Sequence, residues 1–390
     1  MFTLLHDHRY RLLWLASSAA NIARWMDTAA LGWLVIELTN RPQLLGLAVV
    51  ARFAPTMVFG IFAGALADRF HPGKIFSAIQ SANLASALAL ALLFGTAWAV
   101  DGPVKRVVLY AFAGPQRVTS AVSLESLSML GSKMVGPLVA GVLLSRGGAA
   151  GYYTVLAGVY VVGLLLTVRL YPHVSPVSPK MEWQSLAGSI VAGLRDAWRH
   201  PTIRTLLLIT LVFNALVMPY QQMLPVLARN VLGLGPEQFG LLFTLDGLGA
   251  LVAAVVIGSR RTSVPYRRWF AMAATFTAAF VVALALSRRF ALALLIQFML
   301  GTVESTFGMM QGSILLLTAP AGARGRMQGI LSTCIGTMPL GALALGFTIG
   351  QFGVAAAIAG HAALGLLLML PLAVERRAQV SRTPAEGRQA

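Results

Sequence analysis

The sequence predicts an all-α integral membrane protein: two six-helix-type pseudo-symmetric bundles on a twelve-helix plan, with the fourth helix about 20 residues short. Three observations carry that expectation. Of 390 residues, 57% are hydrophobic and 11% charged, at a mean hydropathy of +0.75, which leaves too few polar side chains to clothe a water-soluble domain. The apolar residues gather into eleven runs long enough to cross a hydrocarbon core, plus one short run. The chain also repeats itself at an offset of 194, which lays Pro42, Gly46, Leu47 and Gly64 on Pro236, Gly240, Leu241 and Gly258.

Residues 1–11 are short and rich in charge, and the run that follows, 12–37, is too long for the core of a cleaved leader, so it reads as a retained first helix. Runs at 43–67 and 75–100 give the second and third helices, and 118–145 and 151–170 the fifth and sixth. Between them only 107–114 is available for a fourth. Residues 171–204 are polar and proline-bearing and divide the chain; within them Leu186, Ile190 and Leu194 recur at helical spacing, the pattern of a helix lying along the membrane surface. The second half supplies runs at 205–228, 238–258, 268–286, 290–318, 327–349 and 353–373. The division is therefore an N-terminal bundle at 1–170, a cytoplasmic linker at 171–204, a C-terminal bundle at 205–375 and a cytoplasmic tail at 376–390.

The short run "VVLYAFAG" needs its own argument. Eight helical residues rise only about 12 Å against a hydrocarbon core of about 30 Å. If the segment nonetheless crosses, 20 of the 30 Lys and Arg residues fall on the side of the N-terminus, 7 on the far side and 3 inside helices. Without a crossing the division is 8 to 19, with the linker and tail outside. Short cytoplasmic loops are enriched in Lys and Arg, so the charge pattern favours a crossing. The repeat measures what is missing: Arg289 to Pro339 spans 50 residues and Arg106 to Pro137 spans 31, a shortfall of one helix.

The formal charge of +17 sits in small groups between apolar runs, the distribution of a membrane protein and not of a nucleic-acid binder. Cys334 is the single cysteine and can form no internal disulfide. The sequence shows no phosphate-binding loop, metal-ligand cluster or nucleophile triad, so neither an enzyme, a cofactor nor a metal is expected.

Two six-span halves around a central linker resemble the major facilitator superfamily. "GALADRFHPGK" is similar to its signature between the second and third spans, through Gly64, Leu66, Ala67, Asp68 and Arg69 with Lys74 as the trailing base. His71 and Pro72 depart from that pattern. The chain looks closest to the enterobactin-exporter-like efflux permeases, and "KMVGPLVAG" resembles the helix-bending element of antiporting members through Gly136 and Pro137. The resemblance implies a bacterial inner-membrane protein, monomeric, with both termini cytoplasmic. It implies alternating access and proton-coupled export of amphipathic small molecules such as siderophores or drugs. Its rivals are a transport-defective remnant or non-transporting scaffold, suggested by the short fourth helix, and a solute uptake permease.

Ionisable groups at membrane depth are costly and mark pathways, proton relays or buried pairs. Asp27 and Arg24 are three residues apart, on one face of the first span, and either neutralise each other or serve substrate and proton. Arg52 takes the repeat position of Asp246 and is a further candidate for a role in transport or proton movement. Lys133 and Asp246 lie on spans that face each other across the halves in the superfamily, an interdomain pair that is either fixed or opens during transport. Glu304, in "GTVESTFGMMQG", has no basic neighbour on its own helix and is the favoured proton site. Glu125 lies near the end of its span and reads as interfacial. Trp25, Phe307, Met309 and Met310 are expected either to line the cavity or to pack in the core or against lipid.

Overall fold

A computed structural model describes residues 2–53, 118–170, 195, 198–259, 265–319 and 324–380. The short segment 107–114, the signature residues Gly64, Asp68, Arg69 and Lys74, most of the linker and the end of the tail lie outside the described residues. The described chain is helical, with no strand among the described residues. Seven of its helices are long and apolar enough to cross a membrane.

Helix α1 runs from His8 to Thr39. Asp7 caps its start by accepting from the Arg9 backbone N–H at 2.9 Å, and Asn40 ends it in the left-handed region, φ 48°, a conformation asparagine tolerates. Helix α2, Pro42–Phe53, turns back along it. The helical run Val118–Leu170 is broken at Gly148, whose φ of 58° only glycine adopts cheaply, and so forms two spans, α3 before the break and α4 after it. The second half comprises α5 (Pro201–Asn230), α6 (Pro236–Gly258), α7 (Tyr266–Leu286), α8 (Phe290–Thr318), α9 (Arg324–Ile335), α10 (Met338–Phe352) and α11 (Val354–Val380).

Helix α5 is interrupted by a π turn, Phe213–Val217, closed by the Met218 N–H to the Phe213 carbonyl at 2.9 Å. The cause lies one residue on. Pro219 has no N–H to return to Ala215, and the freed Ala215 carbonyl is met instead by Gly341 of α10, where the missing side chain lets the helices touch. The turn rotates the residues that follow it, Tyr220 and Gln221, toward α8.

Lipid is as apolar as leucine, so helices in a membrane associate by close packing of small residues and by polar bonds. The seam between the halves shows both. A Cβ on Gly240 of α6 would sit 2.6 Å from the Pro137 carbonyl oxygen of α3, and one on Gly346 of α10 would sit 2.6 Å from that of Pro42 at the start of α2. Arg229 donates to the Ile36 carbonyl at 2.6 Å, at the negative end of the α1 dipole, and Ser145 of α3 donates to Glu237 of α6 at 2.5 Å. These cross-half contacts run from mid-helix to the end of the bundle where α1 finishes, called here the far end. At the near end, where α1 begins, Tyr10 and Trp14 bond to the Ala121 and Leu124 carbonyls inside the first half, and Gln311 to Thr210 inside the second.

Candidate functional site

Five helices converge on one group of polar side chains at mid-helix. Lys133 of α3 places its Nζ 2.5 Å from Asp246 Oδ2 on α6 and 3.8 Å from Glu304 Oε2 on α8. Glu304 also accepts from the Tyr220 hydroxyl at 2.6 Å and from Gln221 Nε2 at 2.6 Å, both presented by α5 just past its π turn. Trp25 of α1 lies beneath the lysine, its ring centroid 5.5 Å from Nζ. Asp246 is 1% exposed, and its second oxygen, Oδ1, has no hydrogen-bond partner among the described residues.

Backbone contact explains how two acids and a base meet so tightly. Gly247, next to Asp246, brings α6 against the Met134 backbone, next to Lys133, at 2.8 Å from where a Cβ would stand. Gly301, one turn before Glu304, leaves room for the Asp246 carbonyl. The small residues are therefore what carry three charged groups to one point of a low-dielectric interior.

The other sequence-selected residues form separate arrangements. Asp27 is paired with Arg52 of α2, whose second nitrogen donates to Thr28 at 3.2 Å. The pair therefore joins two helices of the first half, where the sequence had offered Arg24 on the same helix as the partner. Glu125, near the start of its span, accepts from Ser17 at 2.8 Å and Asn21 at 3.2 Å on α1. Gly136 packs against the α1 backbone beside Trp25, and Pro137 sits at the α6 contact. Phe307 and Met310 pack in the core. Both are buried, and the Phe307 ring is stacked between Phe213 at 4.0 Å and Phe270 at 4.6 Å.

Sequence reasoning missed Tyr220 and Gln221. A signal existed: Gln221 stands 194 residues after Asp27, the offset of the repeat, so the intramembrane carboxylate of the first half marks the polar position of the second.

The chain is similar to known transporters over most of its length. The chain is 26% identical to the multidrug efflux pump Tap of Mycolicibacterium fortuitum over 93% of this chain and 92% of that one. It is 24% identical to the staphyloferrin A transporter of Staphylococcus aureus over 60% of this chain and 63% of that one, less than two thirds of its length. It is 24% identical to the enterobactin exporter EntS of Citrobacter koseri over 93% of each. Among solved structures, the nucleoside transporter NupG superposes with a TM-score of 0.76 at 11% identity, over 94% of this chain and 98% of that one. A bacterial homologue of the lysosomal transporter spinster gives 0.68 at 15% identity over 96% of each. A family described as transmembrane secretion effectors matches residues 1–387, and the chain belongs to it: a multi-pass membrane transporter of the major facilitator superfamily, not an enzyme.

Proposed function

We propose that the protein exports amphipathic small molecules in exchange for protons, by alternating access around the Lys133, Asp246 and Glu304 cluster. Charge balance at that cluster is the observation that carries this reading. Two carboxylates share one ammonium group, so the ionised cluster holds a net charge of −1 in a medium where net charge is costly, and one bound proton makes it neutral. Glu304 is the better proton carrier of the two acids, because Asp246 holds the short contact to Lys133 while Glu304 is 3.8 Å away and bound by neutral donors. The cluster spans both halves, so its protonation changes what holds them together. The efflux and siderophore relatives support an amphipathic cargo and the outward direction.

Charge asymmetry supports a bacterial inner-membrane topology with both termini cytoplasmic, which makes the far end external. The cross-half contacts among the described residues then close the seam between the halves on the external side.

The test uses inside-out vesicles carrying the protein, energised by a pH gradient, with accumulation of the fluorescent amphiphile Hoechst 33342 as readout. Gradient-dependent accumulation that falls to background in Glu304→Gln is the expected result. Accumulation indifferent to the gradient, or unchanged in Glu304→Gln, overturns the reading. The shortfall at 107–114 favours a second reading, a transport-defective chain; it predicts intact insertion with no flux until about 20 helix-forming residues are added after Gly114.

A further inference from the structure

We infer that the cargo carries an ammonium group, that the box formed by Asp246, Glu304 and Trp25 receives it, and that Lys133 occupies this box between cargoes. The inference rests on the reading of the cluster as the centre of export.

The chain's own ammonium group shows what the box fits. Lys133 Nζ stands 2.5 Å from Asp246 Oδ2 and 3.8 Å from Glu304 Oε2, and the Trp25 ring covers it with its centroid at 5.5 Å. Carboxylates beside an aromatic face are the parts with which proteins hold free ammonium ligands, because the acids supply charge and the ring supplies an apolar surface of negative potential. Lys133 does not exhaust them. Asp246 Oδ1 is buried with no hydrogen-bond partner among the described residues, and the contact to Glu304 is too long for a hydrogen bond. Among the described residues only Lys133 forms an ion pair with either acid, so the box holds one cation for two carboxylates.

The box also has a way in. Asp246 is sealed between helices, but Trp25, Lys133, Gln221 and Glu304 are each part-exposed, which leaves one side open. From Glu304 toward the near end, Gly308 and Gly312 follow at helical spacing, and a Cβ on either would meet nothing within 4 Å. The apolar body of a cargo therefore has space beside its charged head. Lys133 can yield its place, since its ammonium group stands at the end of a flexible four-carbon stem.

Exchanging one ammonium group for another acts on the halves. Lys133 on α3 and Asp246 on α6 belong to different halves, and their ion pair ties the two at mid-helix. A cargo ammonium on Asp246 releases that tie and brings a second cation to the two acids. A ligand shifts a conformational equilibrium only through contacts it makes differently in the two states, and this one replaces a contact between halves with a contact to itself. A neutral or anionic cargo of the same size does neither.

Equilibrium binding to the purified full chain in lipid nanodiscs tests this, with the cationic dye Hoechst 33342 as probe, its fluorescence polarisation as readout and empty nanodiscs as blank. On the wild type, n-hexylammonium is expected to displace the dye at concentrations about tenfold or more below those needed of n-hexanol or hexanoate. Lys133→Ala, whose box lacks its occupant, is expected to bind the dye about tenfold tighter than the wild type, because the fraction of empty boxes sets the apparent affinity. n-Propylammonium, which replaces the deleted part of the side chain, should raise the melting temperature of that variant and remove its gain in affinity. Adding Asp246→Asn should abolish both responses. Displacement by hexanol as readily as by hexylammonium overturns the inference, and this wild-type comparison decides the matter even where Lys133→Ala does not fold. A folded Lys133→Ala that binds the dye no tighter than the wild type makes Lys133 a fixed tie between the halves, and overturns it equally. No gradient is applied, so these outcomes are separate from vesicle accumulation that ignores the gradient, which overturns the proton-coupled reading itself.

Discussion

Lys133 balances Asp246, bridges toward Glu304 and rests on Trp25. Its removal leaves two buried carboxylates facing each other, and breaking a buried pair from one side costs about 3–5 kcal/mol. Lys133→Met is therefore expected to lower the melting temperature and the yield of folded protein. Lys133→Met combined with Asp246→Asn should recover most of that stability, because the facing pair of acids is gone and the one acid left, Glu304, keeps its donors Tyr220 and Gln221 and is neutral once it binds a proton, while staying inactive. A double-mutant cycle on melting temperature checks this, and strictly additive losses would show that the two groups do not interact. At this scale the sequence was partly legible. Lys133, Asp246 and Glu304 stood out because charges inside apolar runs are rare, but Tyr220 and Gln221 did not, because a tyrosine and a glutamine in a helix are ordinary. The partner of Asp27 was out of reach for another reason: spacing along one helix shows which residues share a face, not what the next helix places against it.

The elements were legible where the apolar pattern was long. The runs at 118–145 and 151–170 correspond to α3 and α4, and the break falls at Gly148, inside the glycine-rich stretch between them. The π turn of α5 was not, since Pro219 announces a lost backbone bond but not how the helix will absorb it. The same limit holds for the glycines of the seam, whose role appears only once their neighbours are known. Gly240 lets the Pro137 carbonyl of α3 approach to where any side chain would stand, so Gly240→Val must push α3 and α6 apart at the far end. In a Cys334→Ser background, cysteines replacing Ser145 and Glu237 should be joined readily by a short bifunctional thiol reagent, because Ser145 and the longer Glu237 side chain reach each other at 2.5 Å. Adding Gly240→Val should cut both the crosslinking rate and transport by about tenfold or more. Equal crosslinking with and without the valine would show that the seam tolerates the added bulk.

For the whole molecule, charge placement and the repeat together make a claim that neither makes alone. The repeat requires the two halves to enter the membrane from the same side, and the division of Lys and Arg, 20 against 7, says which side that is. Both depend on a crossing at 107–114, where only eight apolar residues stand. The contacts between halves add a physical constraint. The α1 end at Ile36 binds Arg229 at the end of α5, and the start of α2 packs against Gly346 near the end of α10, so the far ends of both halves lie on one side of the membrane. A first half inserted opposite to the second would set those ends about 30 Å apart, across the hydrocarbon core. Single cysteines in a Cys334→Ser background decide the matter. A membrane-impermeant maleimide applied to intact cells should label a cysteine at Gly233, in the far-end turn between α5 and α6, and a cysteine at Asn40, between α1 and α2. It should spare one at Ala378 until the membrane is permeabilised. Labelling of Asn40→Cys and Ala378→Cys with protection of Gly233→Cys would mean that the chain does not cross at 107–114, that the second half is inverted, and that the Arg229 to Ile36 contact does not form in the cell.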